Sequence, residues 1–503
     1  MSGFVEIELK LLGTRKALAQ LGRLSPVAQA ALGKARLKRL HAVYFDTPGL
    51  ELQANGVALR VRREGRGWIQ CIKGPGEAIG GLHRRTELEW PVATPTPKIA
   101  LLDDSPFSGL FKKPRVRRAL APVFIMEFQR RVLTLELGGE AAAELAIDTG
   151  EIRAGRRKAA ISEAEIELLR GKPEALLDFA AALVERLPLR VGHASKAARG
   201  YALLAGEPPG PRKAGVLVLD AAAPAAAAGL QLVQACMAQI HDNEQGFLRG
   251  EDPEYLHQVR VGLRRLRVAL ALPRDKSWDE SFEPLRGELQ WLSRSLGVAR
   301  NWDVMAEELL PVLERDCGSS ALDALRLRVN TERRRAVRAA RRALRSARSQ
   351  RLWLHLARLT VVQGEAIAPV TSTVDFARTA LSRRHHKLGR YAELLQLEPQ
   401  ALHRARIDAK KLRYVSEFFA SLWSGKEAKR FIQQLKQLQD LLGQINDAAV
   451  ARSILGGGNP GGEAAEASAS GAALARIDAH EAAARGRLES EWLRFAGLKP
   501  YWT

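Results

Sequence analysis

Two stretches of this chain, opening at His257 and His403, repeat one basic pattern in unbroken register, and that repeat commits this part of the sequence to a duplicated helical body. The first reads His257-Gln-Val-Arg260-Val-Gly-Leu-Arg264-Arg265-Leu-Arg267, the second His403-Arg-Ala-Arg406-Ile-Asp-Ala-Lys410-Lys411-Leu-Arg413. Leu296-Gly297 and Leu442-Gly443 keep the same offset downstream. Residues at i, i+3, i+7 and i+10 stack along one stripe of a helix with about 3.6 residues per turn. Each copy is therefore a row of cations, and two such rows on a pseudo-symmetric body can face one long polyanion.

Composition points to the same kind of partner. With 78 Lys+Arg against 56 Asp+Glu, the chain has a formal charge of +22 and attracts phosphate-rich molecules. Its 503 residues allow about two to four domains. Cys71, Cys236 and Cys317 are too few and too scattered for a disulfide framework or a zinc site, so a cytoplasmic location is expected. The opening Met-Ser-Gly-Phe-Val-Glu-Ile-Glu puts acids where a secretory signal needs a basic start. No apolar run reaches the ~18 residues of a membrane span.

A stiff connector, Gly206-Glu-Pro208-Pro209-Gly210-Pro211, divides the sequence into segments 1–204, 205–221 and 222–503. Ahead of it apolar residues alternate, which predicts strands near 4–12, 39–46, 57–63, 67–73, 84–92, 123–137, 143–148 and 161–169, then a helix from about 174 to 187. Strands without regular βαβ alternation predict an antiparallel sheet or barrel. Beyond the connector the spacing is helical, apart from a Gly/Ala/Ser tract from Gly456 to about 471 that reads as a disordered loop.

In Glu6-Ile-Glu8-Leu-Lys10 every second residue is charged, so Glu6, Glu8 and Lys10 share one face of the strand. The pattern returns in Arg60-Val-Arg62, in Arg85-Thr-Glu87-Leu-Glu89 and in Glu163-Ala-Glu165-Ile-Glu167. A single such strand reads first as a solvated sheet face. A series of them, with like charges paired, fits a barrel whose lumen is lined by charge. Carboxylates in such a lumen favour Mg²⁺ or Mn²⁺, which share their shell with phosphate oxygens, while Arg and Lys grip the remaining oxygens.

These segments, with Tyr44-Phe-Asp46-Thr, Ile147-Asp148-Thr-Gly150 and Ser195-Lys196-Ala-Ala-Arg199-Gly-Tyr201, resemble the CYTH domains, or triphosphate tunnel metalloenzymes, over about residues 1–204. The second half, with its two rows, Arg300-Asn301-Trp-Asp303 and Asn446-Asp447, resembles a CHAD domain, whose family binds inorganic polyphosphate. Together they are similar to the bacterial CYTH-CHAD inorganic triphosphatases. The resemblance implies an α+β chain: an antiparallel β-barrel tunnel at residues 1–204, a linker at 205–221, and an all-α domain of two pseudo-symmetric bundles at 222–503.

It also implies roles. Glu6, Glu8, Glu87, Glu89, Asp148, Glu165 and Glu167 would hold Mg²⁺ or Mn²⁺ or orient water, with Glu6, Glu8 and Lys10 catalytic. Lys10, Arg60, Arg62, Lys73, Arg85, Arg130 and Lys196 would bind inorganic triphosphate. Inorganic polyphosphate would lie along His257, Arg260, Arg264, Arg265, Arg267, His403, Arg406, Lys410, Lys411 and Arg413. Many relatives carry Lys-x-Arg where this chain has Phe128-Gln-Arg130, and a regular strand turns Arg131 the other way. Asp46 reads as a ligand or as a turn residue and is left out of the site.

A cyclase, a thiamine or nucleoside triphosphatase, and a non-catalytic protein targeted to polyphosphate granules remain as rival readings. No specific nucleic acid is expected, because few aromatics interleave the rows, and no membrane partner is expected without an apolar span. His257 and His403 read equally as caps or packed residues. The Arg-rich segment 326–351, with Arg334, Arg338, Arg341, Arg345 and Arg348 on one stripe, reads as a third polyanion contact or as a solvated helix. The cluster Arg383, Arg384, His385, His386 and Lys387 has the same two readings.

Overall fold

The computed structural model describes residues 4–206, 210–272, 276–317, 322–365, 371–391, 398–423, 425–456 and 464–503. Two compact units are formed, one by residues 1–211 with 344–362, the other by residues 212–343 with 363–503.

The first unit contains β1 (Phe4–Leu12), β2 (Ala31–Asp46), β3 (Ala58–Glu64), β4 (Gly67–Ile79), β5 (Leu82–Val92), β6 (Ala121–Gly138), β7 (Ala141–Ala154), β8 (Arg157–Arg170) and the short β9 (Arg190–Val191). Their order is β5-β4-β3-β2-β6-β7-β8-β1-β9, and β1 also pairs with β5. That pairing closes eight antiparallel strands into a barrel, so none of the eight presents an unpaired edge. Register then fixes what faces the lumen: Glu6 lies opposite Arg85, Glu8 opposite Glu167, Lys10 opposite Glu165, Lys73 opposite Glu87, and Arg130 opposite Asp148. The alternate side chains turn outward. Leu59, Val61 and Ile72, for example, pack with Leu52 of α3 (Glu51–Ala54), Phe111 of α4 (Ser108–Phe111) and Val116 of α5 (Pro114–Ala119).

All eight barrel strands occur where the alternation predicts them, and α6 (Glu174–Arg186) follows. Strand β2 begins at Ala31, well ahead of the alternation, because residues 32–37 are exposed and leave no apolar period to read. Short helices α1 (Arg15–Leu21), α2 (Ser25–Ala30) and α3 to α5 span too few turns to show a period.

One end of the barrel is stoppered by α7 (Lys196–Ala205), which Ser195 caps by accepting the Ala198 N–H. Tyr201 of α7 joins Tyr44, Phe124, Met126, Ile152 and Ile161 in an apolar cluster. Gly200 allows this approach, since a Cβ there would lie 2.3 Å from the Phe124 ring. Asp46, fully buried, ends β2 and ties the stopper down: its carboxylate accepts the N–H groups of Thr47, Leu52 and Gln53 and the Tyr201 hydroxyl. It is a turn residue and helix cap.

The second unit is helical: α8 (Ala225–Arg249), α9 (Pro253–Leu270), α10 (Lys276–Val304) running through a π turn (Met305–Leu309) into α11 (Leu310–Cys317), α12 (Asp323–Arg345), α14 (Thr373–Gly389), α15 (Pro399–Phe419), α16 (Lys426–Gly456) and α17 (Ala464–Ala496). The offset between His257 and His403 also lays α8 on α14, α9 on α15, α10 on α16 and α12 within α17, so the duplication extends through four helices. Its pseudo-symmetry shows where the N-termini of α8 and α14 meet, Ala225 N–H donating to the Thr371 carbonyl and Thr373 N–H to the Ala223 carbonyl, both at 2.9 Å. Helix α13 (Ala347–Glu365) lies outside these four paired helices, and most of it groups with the barrel, where Gln350 accepts the Val191 N–H at 2.8 Å.

Residues 207–209 of the connector and 457–463 of the Gly-rich tract lie outside the described residues. From Ala464 the chain is helical although a loop was expected to about 471, because alanine, the strongest helix former, dominates that stretch. Among the described residues no helix is long and apolar enough to cross a membrane.

Asp46→Ala removes four hydrogen bonds around a buried site and is expected to destabilise the barrel unit by about 2–4 kcal/mol. A lowered denaturant midpoint for the intact chain, monitored by barrel-specific hydrogen exchange, checks it.

Candidate functional site

The barrel lumen encloses about 380 Å³, lined by Glu6, Glu8, Lys10, Arg60, Arg62, Lys73, Arg85, Glu87, Glu89, Arg130, Glu165, Glu167 and Lys196. Asp148 lies behind this wall, fully buried. Burying so many charges is tolerable only if each finds partners. Lys10 binds Glu8 and Glu165; Lys73 binds Glu6 at 2.7 Å and Glu87 at 2.9 Å; Arg85 binds Glu6 and Glu8. Arg130 is bidentate on Asp148, at 2.8 and 2.7 Å, and reaches Glu165 at 2.7 Å. Lys196, placed at the first turn of α7, meets Asp148, Glu163 and Glu165 at 2.5–2.8 Å. Arg60 and Arg62 share Glu89, with Arg60 also on Glu87.

These contacts spread the carboxyl pKa values apart. For Glu8, burial alone would raise the value, but Lys10, Lys73 and Arg85 bring it down to about 2. Glu165 is likewise held well below the usual range by Lys10, Lys196 and Arg130 against the effect of burial. Glu167 goes the other way, to about 7, because it is buried and faces Glu6, Glu87 and Glu8. Glu6 is raised for the same reasons, with Lys73 opposing. The lumen thus offers ionised carboxylates for a hard divalent cation, cations for phosphate oxygens, and one carboxyl able to exchange a proton near neutral pH.

Several lumen residues escape the sequence reading. Glu163, fully buried, belongs to the β8 alternation but was left out of the site; it pairs with Lys196 and Arg199, and its carboxylate lies with those of Asp148 and Glu165 in a group able to hold a metal ion. Lys38, Leu40 and Tyr44 line the cavity from β2, and Glu64 and Glu144 join them. Cys71, also buried, donates to Glu87 from β4, and burial pushes its thiol up to about 12. Phe128 faces the lumen, its ring 5.7 Å from both the Arg130 guanidinium and the Lys196 ammonium. Arg131 points outward, beside Gly22.

In the helical unit, α9 and α15 bring their basic rows to one groove of about 2030 Å³, lined by His257, Arg260, Arg264, Arg265, Arg267, His403, Arg406, Lys410, Lys411 and Arg413. Not all of them are turned to it alike. Arg265 is buried, bound to Glu417 at 2.7 Å and stacked over Phe418, and so acts as an anchor between the repeats. Arg413 shares Glu417, and Arg264 donates to the Tyr414 hydroxyl at 3.2 Å. Arg260 donates to the Ser293 carbonyl at 3.0 Å and lies in the field of Arg406, which also faces Lys410. Burial together with Arg264, Arg300 and Arg406 lowers Arg260 to about 10; burial with Arg406 and Arg264 lowers Lys410 to about 6; burial with Arg300 lowers His257 to about 4. Each row depresses the other, with Asp447, 3.7 Å from Arg406, as one of the few opposing charges.

His403 does not sit free in the groove: its Nδ1 meets the Asn446 amide oxygen at 2.9 Å. Of the other basic clusters, Arg383, Arg384 and Lys387 line the groove. His385 instead packs against Phe431, Phe495 and Trp502. Arg341 donates to the carbonyls of Phe247 and Gly250 and so closes the C-terminus of α8.

Residues 5–201 match the CYTH domain family and residues 231–456 the CHAD domain family. An inorganic triphosphatase of Haemophilus influenzae is 33% identical over 162 residues, which are 32% of this chain and 44% of that protein, so the match spans less than half of that relative. An uncharacterised protein of Mycobacterium tuberculosis is 28% identical over 454 residues, 83% of this chain and 82% of its own. The crystal structure of the CHAD domain from the plant Ricinus communis superposes with a TM-score of 0.52 at 31% identity, covering 58% of this chain and 98% of that one. With a charged eight-stranded barrel leading into a duplicated helical body, the chain is a fusion of an N-terminal CYTH domain and a C-terminal CHAD domain.

Proposed function

We propose that the barrel hydrolyses inorganic triphosphate to pyrophosphate and phosphate, and that the helical groove binds inorganic polyphosphate. The observation that carries the first half is the mixed lumen: both signs of charge line one cavity large enough for a small polyanion. A ligand that is all anion needs cations alone, whereas a phosphate chain that brings a divalent cation needs both. The triphosphatase activity named for the Haemophilus relative, which aligns with the barrel, supports the same substrate.

Glu6, Glu8, Glu87, Glu89, Asp148, Glu165 and Glu167 would hold Mg²⁺ or Mn²⁺, which when bound supplies charge neutralisation on the phosphoryl oxygens. Lys10, Arg60, Arg62, Lys73, Arg85, Arg130 and Lys196 clamp the chain of phosphates and hold it in line for attack by water. Glu167, whose carboxyl burial and the neighbouring Glu6 raise to about 7, would accept the proton that water gives up if it is not taken up as a metal ligand. Glu6→Ala and Glu8→Ala each remove a buried carboxylate and are expected to lower kcat/KM for triphosphate by about a hundredfold or more. EDTA should abolish turnover; retained activity in EDTA or in both variants sinks the assignment.

The groove has cations of one sign with little compensation, which suits a long polyanion. Polyphosphate affinity of the intact chain should fall steeply with salt. Replacing His257, Arg260, Arg264, His403, Arg406 and Lys410 by Ala should remove binding while triphosphate hydrolysis persists. Between pH 6 and 10.5 the unfolded chain protonates Lys410 and the folded groove resists doing so, so stability of the helical unit rises with pH across that window. Two outcomes follow: Lys410→Met stabilises the unit at pH 7, and polyphosphate binding at pH 7–8 takes up protons. Calorimetry in buffers of different ionisation enthalpy reads the second.

A further inference from the structure

Lys38 differs from every other cation facing the barrel lumen. Among the described residues each of Lys10, Arg60, Arg62, Lys73, Arg85, Arg130 and Lys196 touches at least two carboxylates, whereas Lys38 has a single one, Glu64, at 2.8 Å. It is also the most accessible: its side chain is 42% exposed, against 21% or less for the others. In the β2–β6 register it stands opposite Arg130, and the next lumen residues along β2, Leu40 and Ala42, are apolar. Lys38 is therefore the cation by which β2 lines the cavity, next to Arg130 of β6 and the rings and aliphatic chain of Tyr44, Phe128 and Leu40.

Exposure also shows which end of the barrel is open. Glu64 and Glu89 beside Lys38 and Arg62 are about one-third exposed, while Asp148 and Glu163 beside Lys196 are fully buried under the stopper helix α7. An organic group attached to a triphosphate cannot pass the apolar cluster of Tyr201, Phe124 and Ile152. It must project from the open end. The phosphate lying at Lys38 is then the esterified one in an organic substrate, and a free terminal phosphate, with one more ionisable oxygen, in inorganic triphosphate.

We propose that Lys38 is a specificity-determining residue at the mouth of the tunnel, which exchanges Glu64 for the outer terminal phosphate and so favours inorganic triphosphate over its organic esters. This rests on the triphosphatase reading above. The exchange is easy because a half-exposed ion pair is held weakly, and Glu64 keeps Arg62, 3.2 Å away, when Lys38 leaves. The cations deeper in the lumen cannot move in this way without stranding buried carboxylates.

The test uses the full-length chain with Mg²⁺, measuring kcat and KM for inorganic triphosphate and for ATP. In Lys38→Ala the KM for inorganic triphosphate should rise about tenfold with kcat held within about twofold, a loss of binding that does not strengthen in the transition state. ATP should be nearly unaffected, so the ratio of the two kcat/KM values falls about tenfold. Lys38→Arg should keep the ratio. Glu64→Gln, which frees the ammonium, should lower the KM for inorganic triphosphate. An unchanged ratio in Lys38→Ala, or a raised KM in Glu64→Gln, overturns the proposal. Calorimetry of inorganic triphosphate and ATP binding without metal gives an independent comparison. If the wild-type chain hydrolyses neither compound, the triphosphatase reading fails, and the two affinities in Lys38→Ala still decide the role of Lys38.

Discussion

Everything in the barrel depends on the ion network that fills its lumen. A closed eight-stranded sheet has an interior to fill, and here much of the filling is charge: Glu8, Lys10, Asp148, Glu163, Glu165 and Lys196 are all buried. Isolated, each would cost several kcal/mol to desolvate. Strand alternation removes that cost by setting carboxylates and cations opposite one another across neighbouring strands, as at Glu6 with Arg85 and Lys10 with Glu165. The apolar core is displaced to the outer face, where Leu59, Val61 and Ile72 pack under the short helices, and to the stopper at one end. The same contacts therefore hold the fold and pre-position the groups that would meet a metal–phosphate ligand.

The two units solve the electrostatic problem in opposite ways. In the lumen, charges of both signs are matched, which pushes Glu8 down, while burial and neighbouring carboxylates still raise Glu167 and Glu6. In the groove the cations are matched poorly, and Arg260 and Lys410 fall instead. A matched site binds a ligand that itself carries both signs, and an unmatched one is completed only by an anion. Proteins sit close enough to their stability threshold that such unmatched clusters persist where they serve binding. Elsewhere in the helical unit the arginines are satisfied, as at Arg265 on Glu417 and Phe418 and at Arg341 on the α8 carbonyls.

The barrel was legible because its lumen face is charged on strand after strand, so a period of two appears as charge rather than as hydrophobicity. Glu163 lay within that signal and could have been assigned from it. Lys38 lay outside it, since residues 32–37 are exposed and the flanking β2 sequence shows no contrast between faces. Helical periodicity placed both basic rows but could not separate neighbours: Arg264 and Arg265 are consecutive, yet one reaches the Tyr414 hydroxyl in the groove and the other is buried against Phe418. His385 shows the same limit, a residue of a basic run that packs among aromatic rings. Which side of a helix meets another helix is a tertiary fact, and a local pattern does not contain it.

Duplication explains how an unmatched groove can be built at all. A single row of cations along one helix would simply be solvated, and screening would leave it little affinity. Two copies of one helical unit, packed with α8 meeting α14 and α9 meeting α15, force equivalent basic rows to face each other across a shared space. The repulsion this creates is borne by contacts that the same repeat supplies next to it, above all Arg265 and Arg413 converging on Glu417. In α9, therefore, the adjacent Arg264 and Arg265 have opposite tasks. The one turned inward secures the packing between repeats, and that packing keeps its neighbour in the crowded, partly desolvated position where a polyanion is the most favourable counter-charge.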